Sequence, residues 1–284
     1  MSKNLNSQKA AILAEALPYI QKYYGQTVVI KFGGSAMKDE EIKKTVMQDI
    51  VLLRSVGVKV VLVHGGGPEI NAMLNNLGIK PEFINGLRKT DKQTMGVVQE
   101  VLAGKVGKDL VGLVESHGGT AIGLCGIDGG MIKVKQRDPA LGYVGDIISV
   151  DTKIINLALD NGLIPIISTI GVDVNGNAYN INADSAAARI AGELKAMSLI
   201  NMTDTPGLLR DKNDDSTLIK AISASEIPEL IKEGIVDGGM LPKVIGSQEA
   251  IRRGAKHVFI MDGRQPHAII IEMLTDEGMG TMFY

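Results

Sequence analysis

Lys31 stands near the end of an apolar, β-branched run, Val28-Val29-Ile30-Lys31-Phe32, that breaks into Gly33-Gly34-Ser35. A second run, Val60-Val61-Leu62-Val63, ends in His64-Gly65-Gly66-Gly67. Each is followed by a helix-like pattern, so each reads as a buried strand opening through glycines toward a helix N-terminus. Unpaired backbone N–H groups collect at such a turn, and without a Cβ an anion comes close. Two such loops in one sheet predict a protein that grips two anionic groups side by side, with Lys31 as a fixed positive charge in the cleft. Phosphoryl transfer is the reaction class that needs this arrangement.

Three more residues carry possible chemistry. Asp184 closes Asn180-Ile181-Asn182-Ala183-Asp184 at the start of a helix of small residues, where a carboxylate also suits the helix dipole. Lys243 follows Gly238-Gly239-Met240-Leu241-Pro242 and, taken alone, reads as an ordinary first-turn residue. Arg88 lies in the turn Asn85-Gly86-Leu87-Arg88-Lys89-Thr90-Asp91. An arginine fork is the usual partner of a carboxylate, although a lone arginine is more often surface decoration.

The elements that must position these groups alternate along the chain. Strands are expected at 27–32, 58–63, 120–124, 163–168, 178–181, 197–202, 257–261 and 281–283. Helices are expected at 39–54, with Asp39 as N-cap, and at 68–77, 91–116, 151–161, 183–194, 224–233, 242–253 and 266–274. Residues 131–149 read as a hairpin region around Gly142. A first helix, roughly 7–24, carries Leu13, Leu17, Ile20 and Tyr24 on one stripe, and Pro18 should bend it near 14–18. The alternation predicts an α/β fold with an open, largely parallel sheet covered by helices on both faces, and ligands beyond the carboxyl ends of its strands. Any seam between two lobes is expected near 180–195.

Composition narrows the class. The 284 residues suffice for a large core, and 34 glycines without a period fit many strand-to-helix turns. A net charge of −2 gives no electrostatic case for nucleic acid or an anionic membrane, and no apolar run approaches a bilayer span. With Cys125 the only cysteine, no internal disulfide forms and a reducing, cytoplasmic home is expected. No GxxxxGK[ST], GxGxxG after a strand, GxSxG, HExxH or protein-kinase HRD/DFG set occurs. His64, His117, His257 and His267 lack metal-ligand spacing, so metal hydrolysis and nucleophilic serine chemistry drop out.

Over essentially its whole length the chain resembles the amino acid kinase family. The motifs are KFGGS at 31–35, HGGGP at 64–68, NGLRKTD at 85–91, NINAD at 180–184, TDTPGLL at 203–209 and GGMLPK at 238–243. NGLR with NINAD is more specific, resembling the branch that phosphorylates acetylglutamate in arginine biosynthesis. The resemblance implies an α/β/α sandwich with a kinked helix in 1–25, an acyl amino acid lobe at 26–184 and an ATP lobe at 185–284. It implies that Lys31 and Lys243 flank the migrating phosphoryl group and that Asp184 holds both. Gly65, Gly66, Gly67, Arg88 and Asn180 would bind N-acetyl-L-glutamate, with Arg88 on its α-carboxylate. Gly33, Gly34, Thr203, Asp204, Gly207 and Lys243 would serve the nucleotide, and Mg²⁺ would arrive with ATP without a direct protein ligand. A carboxylate nucleophile is already ionised at neutral pH, so no protein base is needed, whereas two approaching anions need opposed cations.

Within the family, the N-terminal extension ending Leu17-Pro18-Tyr19-Ile20 and the stretch His267-Ala268 through Gly280-Thr281 resemble arginine-inhibited members. This implies an allosteric arginine site at Tyr19, His267, Glu272 and Gly280, and kinked helices that interlace dimers into a hexamer, a trimer of dimers. Some relatives bind a PII nitrogen-signalling protein. Ile127 departs from the pattern, since relatives often carry lysine there. Two rival readings are a kinase for acetylated or carrier-linked aminoadipate, one methylene longer, and a non-catalytic arginine sensor. Retention of Lys31, Lys243 and Asp184 argues against the sensor, and a chain ending at Tyr284 is expected to leave no room for a fused transferase domain.

Overall fold

The computed structural model describes residues 10–284. Positions 1–9, which include the start of the expected first helix, lie outside the described residues. Helical residues 10–15 and α1 (Leu17–Tyr23) are separated by a turn at Ala16, and the N-terminal helix is bent by 33°. Pro18 falls in the first turn of α1, where its missing N–H costs nothing, so the bend starts just before the proline.

The strands are β1 (Thr27–Phe32), β2 (Lys59–His64), β3 (Phe83–Ile84), β4 (Leu87–Arg88), β5 (Ala121–Cys125), β6 (Ile132–Gln136) and β7 (Gly145–Val150). They continue with β8 (Ile164–Ser168), β9 (Ile170–Val172), β10 (Ala178–Asn180), β11 (Ser198–Thr203), β12 (Ala221–Ile222), β13 (His257–Asp262) and β14 (Thr281–Phe283). After α1 the helices are α2 (Glu40–Ser55), α3 (Gly67–Asn76), α4 (Lys92–Gln99), α5 (Gly107–Ser116) and α6 (Lys153–Asp160). The last four are α7 (Ala183–Glu193), α8 (Ile227–Lys232), α9 (Leu241–Arg253) and α10 (Ala268–Leu274).

The main sheet runs β12-β14-β13-β11-β1-β2-β8-β5 and is continuous across both halves of the sequence. From β13 to β5 its neighbours are parallel. β14 then turns back antiparallel to β13, so that edge is mixed. A second sheet, β10-β9-β6-β7, contains the expected antiparallel hairpin β6–β7.

Strand periodicity explains how one lysine enters the interior. Val28, Ile30 and Phe32 face one core with Met47, Ile50 and Leu110, whereas Val29 joins Val61, Leu199 and the α7 residues Ala186, Ala187 and Ile190 in the other. Side chains alternate across a strand, so Lys31 emerges on the α7 face at the carboxyl end of β1. The run Ala186-Ala187-Ala188 lets α7 lie close over the sheet, bringing the start of that helix to the ends of β1 and β2.

Two departures concern the loops. The first glycine turn leads into a 3₁₀ segment, Gly34–Lys38, and α2 begins only at Glu40, after Asp39 accepts the N–H groups of Glu41 and Ile42. The expected helix 91–116 is continuous but contains a π-helical stretch, Glu100–Val106, between α4 and α5. No helix among the described residues is long and apolar enough to cross a membrane.

Candidate active site

Lys31 and Lys243 converge on a single carboxylate. Lys31 Nζ lies 2.9 Å from Asp184 Oδ1, and Lys243 Nζ donates to Asp184 Oδ2 at 3.1 Å. β1 supplies the first lysine, the first turn of α9 the second, and the first turn of α7 the aspartate. All three side chains are largely buried. Burial pushes the Asp184 carboxyl up, but the adjacent Lys31 and Lys243 outweigh it and hold the group at about 2. Two ammonium groups against one carboxylate leave a net positive charge at the end of the sheet, which is where a polyanion would settle.

On one side of this triad is a cavity of about 240 Å³. Lys31, Gly33, Gly34, Gly65, Gly66 and Gly67 form its glycine wall, and Arg88, Asn180 and Asp184 face it from the other elements. Arg88 is 8% exposed, its Nη2 donates to Gly67 O at 3.2 Å, and its buried Nη1 has no hydrogen-bond partner among the described residues. Burial pulls the Arg88 guanidinium below its ordinary range. A buried guanidinium with an unpaired N–H edge is a site for an anionic ligand. The Phe83 ring caps its face at 4.8 Å, across the β3–β4 hairpin.

The close packing behind Gly66 comes from the π-helical stretch. A Cβ at Gly66 would lie 2.5 Å from Leu102 Cδ2, so any other residue there would have to displace that side chain. His64 is fully buried, with Nδ1 2.8 Å from Gly65 O, and burial drives its imidazole down to about 4. It is therefore neutral at pH 7 and fixes the loop rather than exchanging protons.

On the other side is a larger cavity of about 600 Å³, lined by Thr203, Asp204, Gly207 and Lys243 together with Asp262 and Arg264. Thr203 Oγ1 donates to Asp204 Oδ1 at 3.2 Å. Gly207 packs on β14, where an added Cβ would lie 2.6 Å from Thr281 Oγ1. Asp262 binds Arg264 through both carboxylate oxygens, at 2.9 and 2.8 Å. The two cavities thus meet at the triad, with Lys31 and Asp184 lining one and Lys243 lining the other. Among the described residues no three His, Cys, Asp or Glu side chains cluster as a metal shell.

The four positions of the expected arginine site divide. The Tyr19 hydroxyl donates to Asp276, and Glu272 accepts the Met279 N–H at 2.5 Å, so both hold the 275–280 loop. Gly280 lies against the backbone of Ile260 with no room for a side chain. His267 turns instead toward α2, with Nδ1 2.7 Å from Asp49 Oδ1.

Several residues facing the first cavity escape motif reading. Leu102 is hidden because its role depends on the π-helical stretch. Phe83 belongs to a two-residue strand too short to give a periodic signal. Asn182 does stand inside NINAD, where its Oδ1 caps α7 by accepting the Ser185 N–H at 3.0 Å.

A profile of the amino acid kinase family matches residues 26–262. A Brachyspira hyodysenteriae protein named acetylglutamate kinase is 58% identical over 281 residues, covering 98% of each chain. A Clostridium kluyveri protein of the same name is 51% identical over 280 residues, 98% of this chain and 99% of its own. Among solved structures, N-acetylglutamate synthase from Neisseria gonorrhoeae, complexed with coenzyme A and N-acetyl-glutamate, superposes with a TM-score of 0.85 at 26% identity. That match covers 96% of this chain and 63% of the synthase.

Proposed function

The chain belongs to the amino acid kinase family, and on that premise we propose that it transfers the γ-phosphoryl group of ATP to the γ-carboxylate of N-acetyl-L-glutamate. The product is an acyl phosphate, in keeping with a step of arginine biosynthesis. The observation that carries the proposal is the junction itself: two lysines on one buried aspartate, between a small glycine-walled cavity and a larger one.

The acyl amino acid occupies the small cavity, its α-carboxylate on the free edge of Arg88 and its γ-carboxylate directed at Lys31. ATP occupies the large cavity, with Mg²⁺ carried as part of the nucleotide substrate. Lys31 and Lys243 neutralise the charge that builds up as carboxylate and phosphate approach, while Gly33, Gly34 and Gly66 let backbone N–H groups reach the oxygens. Asp184 keeps the two ammonium groups from drifting apart and offers no proton, since it stays ionised. In these terms residues 26–184 act as the acceptor lobe and 185–284 as the nucleotide lobe. The names of the relatives at 58% and 51% identity favour acetylglutamate over its one-methylene-longer homologue.

Arginine inhibition belongs to the same proposal. Its support is that Tyr19 of α1 and Glu272 of α10 hold one C-terminal loop, which gives an effector there a lever on the N-terminal helix. A homo-oligomeric arm is supported by Ile12, Leu13 and Leu17, all more than half exposed on that helix. A cytoplasmic location fits the single, half-buried cysteine. The test is ATP-dependent hydroxamate formation from N-acetyl-L-glutamate in hydroxylamine, with and without arginine. Absence of hydroxamate overturns the kinase reading, and an unchanged rate at millimolar arginine overturns the regulatory one.

A further inference from the structure

We propose that Thr90 is a positioning residue that decides which atom of Asn180 meets the acyl amino acid, so that the Asn180 carbonyl oxygen accepts the amide N–H of that substrate. This rests on the functional reading above. Thr90 is fully buried, and its hydroxyl donates to Arg88 O at 2.8 Å. A hydroxyl has one hydrogen, so the Thr90 oxygen can then only accept. It accepts from Asn180 Nδ2 at 3.3 Å. The reversed amide would set its carbonyl oxygen against an oxygen with no hydrogen left to give.

The relay therefore runs Asn180 amide to Thr90 hydroxyl to Arg88 carbonyl, joining two residues that face the same cavity. With Nδ2 turned to Thr90, Oδ1 points the other way, and among the described residues it receives no hydrogen bond. A half-buried acceptor without a partner on a cavity wall selects a ligand that brings a donor. Arg88 in the same wall selects a carboxylate. A donor beside a carboxylate describes an N-acylated α-amino acid, where the amide N–H and the α-carboxylate share one carbon.

The backbone around the relay leaves Thr90 little freedom. Its N–H donates to Leu141 O at 2.8 Å, and its carbonyl accepts the Tyr143 N–H at 2.6 Å. Tyr143 O in turn accepts the Asn180 N–H at 2.9 Å. One short segment, 141–143, thus ties the backbones of Thr90 and Asn180 together, and the side-chain relay lies parallel to that tie.

The test is calorimetric binding and turnover of two ligands, N-acetyl-L-glutamate and its oxygen isostere 2-acetoxyglutarate, which lacks the N–H. The wild-type chain should prefer the amide by roughly ten- to a hundredfold. Thr90→Val, which keeps the shape and removes the hydroxyl, should raise KM and Kd for the amide about tenfold and erase most of the preference. The kcat and the KM for ATP should stay within about twofold, and Thr90→Ser should restore both affinity and preference. A Val variant with wild-type preference overturns the proposal, as does a Ser variant as weak as Val. Absence of binding by the wild-type chain overturns the functional reading and this inference with it. Wild-type binding without discrimination overturns this inference alone.

Discussion

Lys31 and Lys243 come from opposite ends of the polypeptide and are held at 2.9 and 3.1 Å from the two oxygens of one aspartate. Neither lysine is placed by its own segment alone, because β1 and the first turn of α9 are joined here by the Asp184 carboxylate of α7. Replacing either by alanine removes half of the positive charge at the junction and leaves Asp184 with one partner. Lys31→Ala and Lys243→Ala should each lower kcat by about two or more orders of magnitude with modest changes in KM. Steady-state kinetics with both substrates checks this, and a wild-type kcat in both variants would remove the chemical role assigned to the pair.

A second carboxylate behaves in the opposite sense. Asp49 is buried in α2, its Oδ2 has no hydrogen-bond partner among the described residues, and burial pushes its carboxyl up to about 6 despite the nearby His267. Folding therefore favours the protonated form. The stability it contributes is fully present below its unfolded value of 3.8 and is lost as pH rises through about 6. Asp49→Asn keeps a neutral side chain at every pH. Relative to that variant, the wild type should lose about 2–3 kcal/mol between about pH 4 and about pH 7 in urea denaturation. Parallel stability profiles for the two proteins would show that the aspartate is not held protonated.

How much of this was legible in the sequence depends on how local each signal is. β1 and β2 are continuous β-branched runs ending in glycine, so both their location and their buried character are written in residues side by side. Lys243 alone resembles any helix-start lysine, because its partner Asp184 is remote in the sequence and only packing of α9 on α7 joins them. The direction of β14 is also invisible, since an alternating strand reads the same whether it runs parallel or antiparallel. The π-helical stretch at 100–106 hides within an apolar pattern that continues through it. Thr90 illustrates the limit most clearly. It lies inside a motif, yet its part is set by which neighbour uses its single hydrogen, which no spacing records.

Gly142 is the point where the hairpin between β6 and β7 meets Thr90. Its φ is +71°, and a Cβ there would collide with the Thr90 carbonyl oxygen, which cannot move without breaking its bond to Tyr143. Gly142→Ala should cost about 2–4 kcal/mol and weaken acyl amino acid binding, while ATP affinity stays close to wild type. Thermal denaturation and separate ligand titrations would measure this. Unchanged stability would mean that the turn relaxes freely and does not clamp Thr90.

The bent N-terminal helix sets the last expectation, and the structure refines where to cut. Tyr23 is 3% exposed and belongs to the main core, so deleting residues 1–25 would remove a core aromatic together with the arm. Cutting before Leu17 spares Tyr23 and Tyr19 and removes the exposed Ile12 and Leu13, with Ala16 the one described residue of the deleted segment that packs on the core. If that stripe is an oligomer contact, the 1–16 deletion should convert a hexamer to dimers in light scattering with little loss of stability. Basal acyl phosphate formation should persist, because Lys31, Asp184 and Lys243 lie outside the deleted segment. Any arginine inhibition should shift to higher concentration, since Tyr19 would still hold Asp276 but would no longer be coupled to a neighbouring subunit. An unchanged hexamer after this deletion would place the assembly contacts elsewhere on the surface.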